Sequence, residues 1–112
     1  MKRIEAVIQP FKLDEVRDGL AKLGIQGMTA FEAKGCGRQI GHTEIYRGNE
    51  YSYNFIPKIY FFVVVKDDQA KAVVEMITEI VNTRKIGAGK IFVSDVEEVV
   101  RIRTKEIGPD AL

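Results

Sequence analysis

Glycines beside a lysine, and two arginines spaced two residues apart, are the groups in this sequence best suited to chemistry. Gly87-Ala88-Gly89-Lys90 lies late in the chain, with Arg101 and Arg103 shortly after it. Glycine turns let successive backbone N–H groups face one anion, and a lysine adds a point charge. A phosphate-cradling P-loop requires GxxxxGK, then Ser or Thr and a helix. Here Lys90 is followed by Ile91 and a strand-like run, so that motif is excluded. On an extended segment, side chains two apart share one side. Arg101 and Arg103 would then offer forked guanidinium donors to neighbouring phosphate oxygens. Arg38, beside Gly37, adds a third guanidinium. Together the set suits a polyphosphate; singly, each is equally well a solvated arginine or a capping turn.

Other chemistries find less support. The single histidine, His42, has no nucleophile or metal partner near it in sequence, and Cys36 between two glycines reads as a small packing residue. No Ser-His-Asp arrangement, metal-ligand cluster or acid/base pair stands out, and Glu97-Glu98 reads as solvated charge. Lys58-Ile59-Tyr60-Phe61-Phe62-Val63 loosely echoes the aromatic strand of RNA-recognition domains. The matching first strand, Arg3 to Ile8, has no aromatic residue, so no nucleic-acid partner is expected.

Composition narrows the class further. The chain has 112 residues, 46% hydrophobic and 29% charged, with one cysteine and a net charge of +1. That length suits one domain, and one core can be buried without disulfide or metal staples. A near-neutral balance argues against a general nucleic-acid or membrane-surface binder. Met1-Lys2-Arg3-Ile4 runs at once into Glu5 and a strand-like stretch, unlike a signal peptide. The apolar run Tyr60 to Val65 is far too short to span a bilayer. A single cytoplasmic domain is expected.

The elements that must position these groups follow from periodicity. Ile4, Ala6 and Ile8 alternate with neighbours in a strand over residues 2–9, which Pro10 ends. Leu13, Val16, Leu20 and Leu23 recur at helical spacing, with Asp14 and Glu15 in the first turn and Gly24 at the stop. A second strand is predicted over Met28 to Ala33. Gly35 to Pro57 has glycines at 35, 37, 41 and 48 and no sustained period, so it reads as one long projecting loop, with room for a short hairpin. Lys58 to Val65 is the strongest strand. Asp67 or Asp68 would cap a helix carrying Ala70, Val73, Val74, Ile77, Ile80 and Val81 on one stripe. A basic glycine loop, Asn82 to Lys90, leads to a fourth strand at Ile91 to Val93. Val96 to Thr104 would extend the sheet, and Gly108-Pro109-Asp110 reads as a tail.

Two halves thus share the order strand, helix, strand, which predicts an α+β, ferredoxin-like double βαβ sandwich with both helices on one sheet face. Within Lys58 to Val65, one face (Ile59, Phe61, Val63, Val65) would lie under the helices. The other (Tyr60, Phe62, Val64) would be an exposed apolar patch, which implies an oligomer unless the chain's own loops cover it.

Taken in order, several segments resemble one family, the PII nitrogen-regulatory proteins. They are Lys2-Arg3-Ile4-Glu5-Ala6 with Pro10-Phe11-Lys12-Leu13-Asp14-Glu15-Val16, Gly27-Met28-Thr29, and Lys34-Gly35 with Gly37-Arg38-Gln39. Gly41-His42-Thr43-Glu44, Tyr46-Arg47-Gly48 and Glu50-Tyr51 resemble the family's T-loop (about 37–55). Lys85-Ile86-Gly87 and Gly89-Lys90-Ile91-Phe92-Val93 resemble its B-loop (about 82–90), and Arg101-Ile102-Arg103-Thr104 its C-loop (about 101–106). The likeness spans nearly the whole chain.

The resemblance implies a cytoplasmic homotrimer with ATP or ADP bound in clefts between subunits. Arg38, Lys90, Arg101 and Arg103 would contact phosphates, Gly35, Gly37, Gly87 and Gly89 would line the site, and Thr29 and Val64 would lie by the adenine. Gln39 would help hold Mg2+ with ATP and 2-oxoglutarate, while Lys58, Gly41 and Gly87 would contact 2-oxoglutarate. Ligands would bias the conformation of the T-loop, whose Arg47 would contact partners such as an ammonium transporter, nitrogen-metabolism enzymes or regulators. Tyr51 matches a tyrosine that a nucleotidylyltransferase modifies in many relatives. Asn49 stands where some carry a phosphorylatable serine. The implied role is signalling, not catalysis. The alternatives are a small nucleotide-dependent enzyme and a nucleotide sensor with no 2-oxoglutarate response.

The sequence departs from the family pattern at five positions. Arg84 and Lys105 stand where glycine is usual, and Ala88 where aspartate is usual; Tyr60 and Phe62 replace charged residues. These departures bear on nucleotide preference and on the response to 2-oxoglutarate.

Overall fold

A computed structural model describes residues 1–37, 44–46, 49–51 and 55–112. Strand β1 runs Lys2–Ile8, helix α1 Leu13–Lys22 and strand β2 Thr29–Gly35. Short strands β3 (Glu44–Tyr46) and β4 (Asn49–Tyr51) pair antiparallel with each other. Strand β5 (Ile56–Val65), helix α2 (Asp67–Val81) and strand β6 (Lys90–Asp95) complete the order. The main sheet is β2-β5-β1-β6, with every adjacent pair antiparallel. Each half's two strands are therefore separated by a strand of the other half. That interleaving makes the α+β, ferredoxin-like fold, as the strand and helix order predicts.

The core is the helix-covered sheet face. Ile4, Ala6 and Ile8 of β1 and Phe61, Val63 and Val65 of β5 are buried with Val16 and Leu20 of α1 and Val73, Ile77 and Val81 of α2. Burying each large side chain of this set contributes roughly 1.5–3 kcal/mol. The predicted stripe of α2 is buried or half-buried throughout, and that of α1 is buried at Val16 and Leu20, whereas Leu23 lies past the end of the helix and is exposed. The helix starts differ in detail. Lys66, not an aspartate, is the cap residue of α2, and its backbone N–H donates to the Gln69 side chain at 3.2 Å. Gly24 closes α1 at φ +79, a conformation that glycine takes at no steric cost.

Three boundaries differ from expectation. β2 runs on to Gly35 and β5 begins two residues early at Ile56, because the two pair as far as Gly35 opposite Ile56, and β6 spans Lys90 to Asp95, paired along β1. Val96 to Thr104 does not extend the sheet. Instead residues 99–108 fold back as a tight hairpin, with a Val100–Ile107 bridge and a turn at 102–104. The final residues are not a loose tail. Gly108 N–H donates to the Val99 carbonyl at 2.9 Å, and Gly108–Ala111 forms a 3-10 turn.

On the open sheet face, Tyr60, Phe62 and Val64 are half-buried. Phe31 lies 5.8 Å from Tyr60 and 6.5 Å from Phe62, ring centre to ring centre. The Arg3 guanidinium sits 4.0 Å over the Phe62 ring and pairs with Glu5 at 2.9 Å. Tyr60 donates its hydroxyl to Glu5 and accepts from Arg3, so this departure remains polar in its role. That contact with Tyr60 is the largest cause holding the Arg3 guanidinium above its ordinary titration range.

Candidate functional site

The chain concentrates candidate residues in two places. The first is a cavity of about 350 Å³ lined by Val7, Gly35, Cys36, Gly37, Lys58, Gly87, Gly89, Lys90 and Phe92. It lies where the far end of β2, the near end of β5 and the loop before β6 converge. Sequence order made none of this adjacent; β-sheet register did, by setting Ala33 opposite Lys58 and Val7 opposite Lys90.

Lys58 is 9% exposed, and its ammonium donates to the Gly87 carbonyl at 3.2 Å. Gln9 donates to the same carbonyl at 3.4 Å. Among the described residues no carboxylate pairs with Lys58. An ammonium at the wall of a cavity is a donor for an anion placed there.

Two of the glycines, Gly89 and Gly35, leave space that a side chain would fill. A Cβ at Gly89 would sit 2.2 Å from the Val7 carbonyl oxygen, and at Gly35 3.2 Å from the Lys58 stem. Gly87 and Gly89 also hold φ of +96 and +114, turning the loop back over β1.

The second place is a cleft of about 440 Å³ that includes Thr29, Phe62, Val64, Ala111 and Leu112. Thr29 is on the edge strand opposite Phe62, and Val64 is opposite Arg3. Arg101 reaches this neighbourhood through Leu112. It donates to the Leu112 main-chain oxygen at 2.8 Å and to the Glu106 carboxylate at 3.1 Å. The extended backbone expected through Arg101 and Arg103 is not found: residues 102–104 are a turn, so strand alternation does not set the relation of the two side chains. Arg103 is exposed at that turn.

The two places share no lining residue. They lie at opposite ends of β2, six residues from Thr29 to Gly35, or about 20 Å. Arg38, Gln39, Gly41 and Arg47 lie outside the described residues, as does His42. Tyr51 pairs with Glu44 through its backbone in β4.

Residues 1–106 match the family model for Nitrogen regulatory protein P-II. The chain belongs to that family. It is 59% identical to the Nitrogen regulatory protein P-II of Rhizobium meliloti, over all 112 residues and the full length of both chains. The proteins of the same name from Pasteurella multocida and Azospirillum brasilense are each 56% identical, again over the full length of both chains. As a P-II chain it is a signalling protein of nitrogen regulation, not an enzyme. No helix among the described residues is long and apolar enough to cross a membrane.

Sequence reasoning missed several residues of this P-II chain. Gln9, one step past β1, carried no signal beyond its polarity. Cys36 was discounted, yet it lines the first cavity. Glu106 and Leu112 were overlooked because nothing in their spacing points back to Arg101. Two departures have a backbone consequence. Arg84 and Lys105 are the non-glycine residues at positive φ among the described residues, at +59 and +63.

Proposed function

We propose that this P-II chain senses ATP or ADP with Mg2+ and 2-oxoglutarate, and regulates nitrogen-metabolism targets through its T-loop. The observation that carries this reading is the first cavity. It gathers Gly35, Gly37, Lys58, Gly87, Gly89 and Lys90, far apart in sequence, around one buried ammonium. Lys90 and the glycine backbone suit phosphate, and Lys58 suits a carboxylate of 2-oxoglutarate.

The second cleft suits the base, with Thr29 as the polar group and Val64 as apolar wall. Because the two places are at opposite ends of β2, a complete site is best made by two copies. One copy brings the glycine cavity with Arg38, the other Thr29, Val64, Arg101 and Arg103. A homotrimer closes such a heterologous arrangement and covers the aromatic sheet face. No cluster of three His, Cys, Asp or Glu occurs among the described residues. By the family resemblance Gln39 and ligand oxygens would hold Mg2+, so a keto acid that supplies chelating oxygens binds better once Mg-ATP is there.

Chelation at the T-loop base gives that loop two arrangements. Its tip, including Arg47, would dock on an ammonium transporter or on nitrogen-metabolism enzymes or regulators in the cytoplasm. A nucleotidylyltransferase would act on Tyr51. One observation favours a second reading. Phe62 offers the base-side cleft an aromatic ring, engaged by Arg3 and Phe31, instead of a carboxylate. Nucleotide sensing without a strong 2-oxoglutarate response would fit that change.

Calorimetry decides between them. Titration with 2-oxoglutarate should give heat only when Mg-ATP is present. Nucleotide binding with no keto-acid response supports the second reading, and absence of nucleotide binding overturns both.

A further inference from the structure

Arg101 already holds an anionic partner. The 99–108 hairpin fixes it opposite Glu106: Arg101 N–H donates to the Glu106 carbonyl at 2.9 Å and Lys105 N–H to the Arg101 carbonyl at 2.8 Å. These bonds place the Glu106 carboxylate 3.1 Å from one guanidinium nitrogen, while the other reaches the Leu112 main chain at 2.8 Å. Leu112 in turn lines the cleft shared with Thr29 and Val64. One guanidinium therefore ties together an acid, the last turn of the chain and the wall of a ligand-sized cleft.

We propose that Glu106 and residues 108–112 form a latch on Arg101, which the phosphates of a nucleotide must displace. The inference rests on the nucleotide reading above and adds a selectivity device to it. A bound phosphate replaces one anion with another at Arg101, then frees Leu112 and loosens the wall of the cleft. A neutral nucleoside enters the same cleft without reaching for the guanidinium. The latch thus makes affinity depend on how much negative charge the ligand brings, since a single carboxylate competes poorly with a polyphosphate for a fork of donors.

The test uses Glu106→Gln, which keeps shape and removes charge, and Glu106→Ala as a second variant. Each is titrated with ATP, inorganic tripolyphosphate and adenosine. An exposed ion pair of this kind predicts about two- to fivefold tighter ATP and tripolyphosphate binding, with adenosine unchanged. In the wild-type protein, amide hydrogens of residues 108–112 should exchange faster with ATP bound and not with adenosine. ATP affinity unchanged or weakened in both variants overturns the latch while wild-type binding leaves the nucleotide reading intact. Equal tightening of ATP and adenosine also overturns it, since that reports a loosened cleft and not a charge competition. Unchanged exchange at 108–112 removes the release of the segment. No ATP binding by the wild type or either variant overturns the nucleotide reading and the latch with it.

Discussion

The loop at residues 82–89 and the hairpin at 99–108 flank the same strand, β6, and both present cations, but they hold them by different means. At the loop, Lys58 is buried and anchored to the Gly87 carbonyl, with close backbone packing around it. At the hairpin, Arg101 is half-exposed and neutralised by Glu106. Packing fixes the first cation and charge pairing fixes the second. The first region should therefore respond to changes in volume and the second to changes in charge.

Gly89 gives the sharpest way to break that contrast. Alanine there meets the Val7 carbonyl oxygen at 2.2 Å and must hold φ +114. Gly89→Ala should cost about 2–4 kcal/mol, read as a fall in the urea midpoint. Gly37→Ala, lining the same cavity with no atom of the described residues within 4 Å of the new methyl, should stay within about 0.5 kcal/mol of wild type. Equal effects would show that the cavity is not shaped by volume.

Lys58→Met keeps the stem and deletes the charge. Loss of a charged hydrogen-bond donor should weaken 2-oxoglutarate binding by about tenfold to a hundredfold. The unfolding midpoint should hold or rise, because among the described residues no carboxylate offsets the burial of this ammonium. A large loss of stability with binding retained would move Lys58 from ligand recognition to scaffold.

These two regions also mark what the sequence made legible. Alternation in β1 and β5 and the stripes of α1 and α2 identified the core, because buried faces impose a strict period. The glycine–lysine group at 87–90 was legible because glycine and lysine each have a narrow set of uses. The gathering of Gly35 and Lys58 at that group was not written locally; it depends on β2-β5-β1 register. The hairpin was misread as sheet, since Val99, Val100 and Ile102 have strand-like side chains. What decides its shape is Lys105 at φ +63 and the cross-hairpin bonds from Arg101 to Glu106 and from Gly108 to Val99. Gln39 and Gly41 rest on resemblance alone, and Arg38 on resemblance and on its place beside Gly37.

Arg84 and Lys105 carry the comparison into the backbone, one in each region. A side chain in the left-handed conformation costs about 1–2 kcal/mol, and glycine returns about 0.4–1 kcal/mol of that through a looser unfolded chain. Arg84→Gly and Lys105→Gly should each raise stability by up to about 1 kcal/mol, seen as a higher melting temperature. If the hairpin is held mainly by the Arg101–Glu106 pair, the gain at Lys105 should shrink in the Glu106→Gln background, whereas the gain at Arg84 should not.

The smallest effect concerns β6 itself, on which both regions hang. Lys2 on β1 is opposite Asp95 at the hairpin end of β6, and the two side chains pair. The hydrogen bond to Asp95, then its charge, raises the Lys2 ammonium above its usual 10.5. The folded chain therefore holds this proton more tightly than the unfolded one. The stabilisation is fully present below the usual lysine value and is lost as pH rises through the raised one. Alkaline unfolding curves should accordingly fall slightly less steeply in Asp95→Asn than in wild type, with the two converging once Lys2 is neutral. Because the pair is exposed, the difference should be small and should fade with salt. If it instead shifts ATP affinity at the hairpin side, the two regions are coupled through β6 and the separation drawn between packing and charge does not hold.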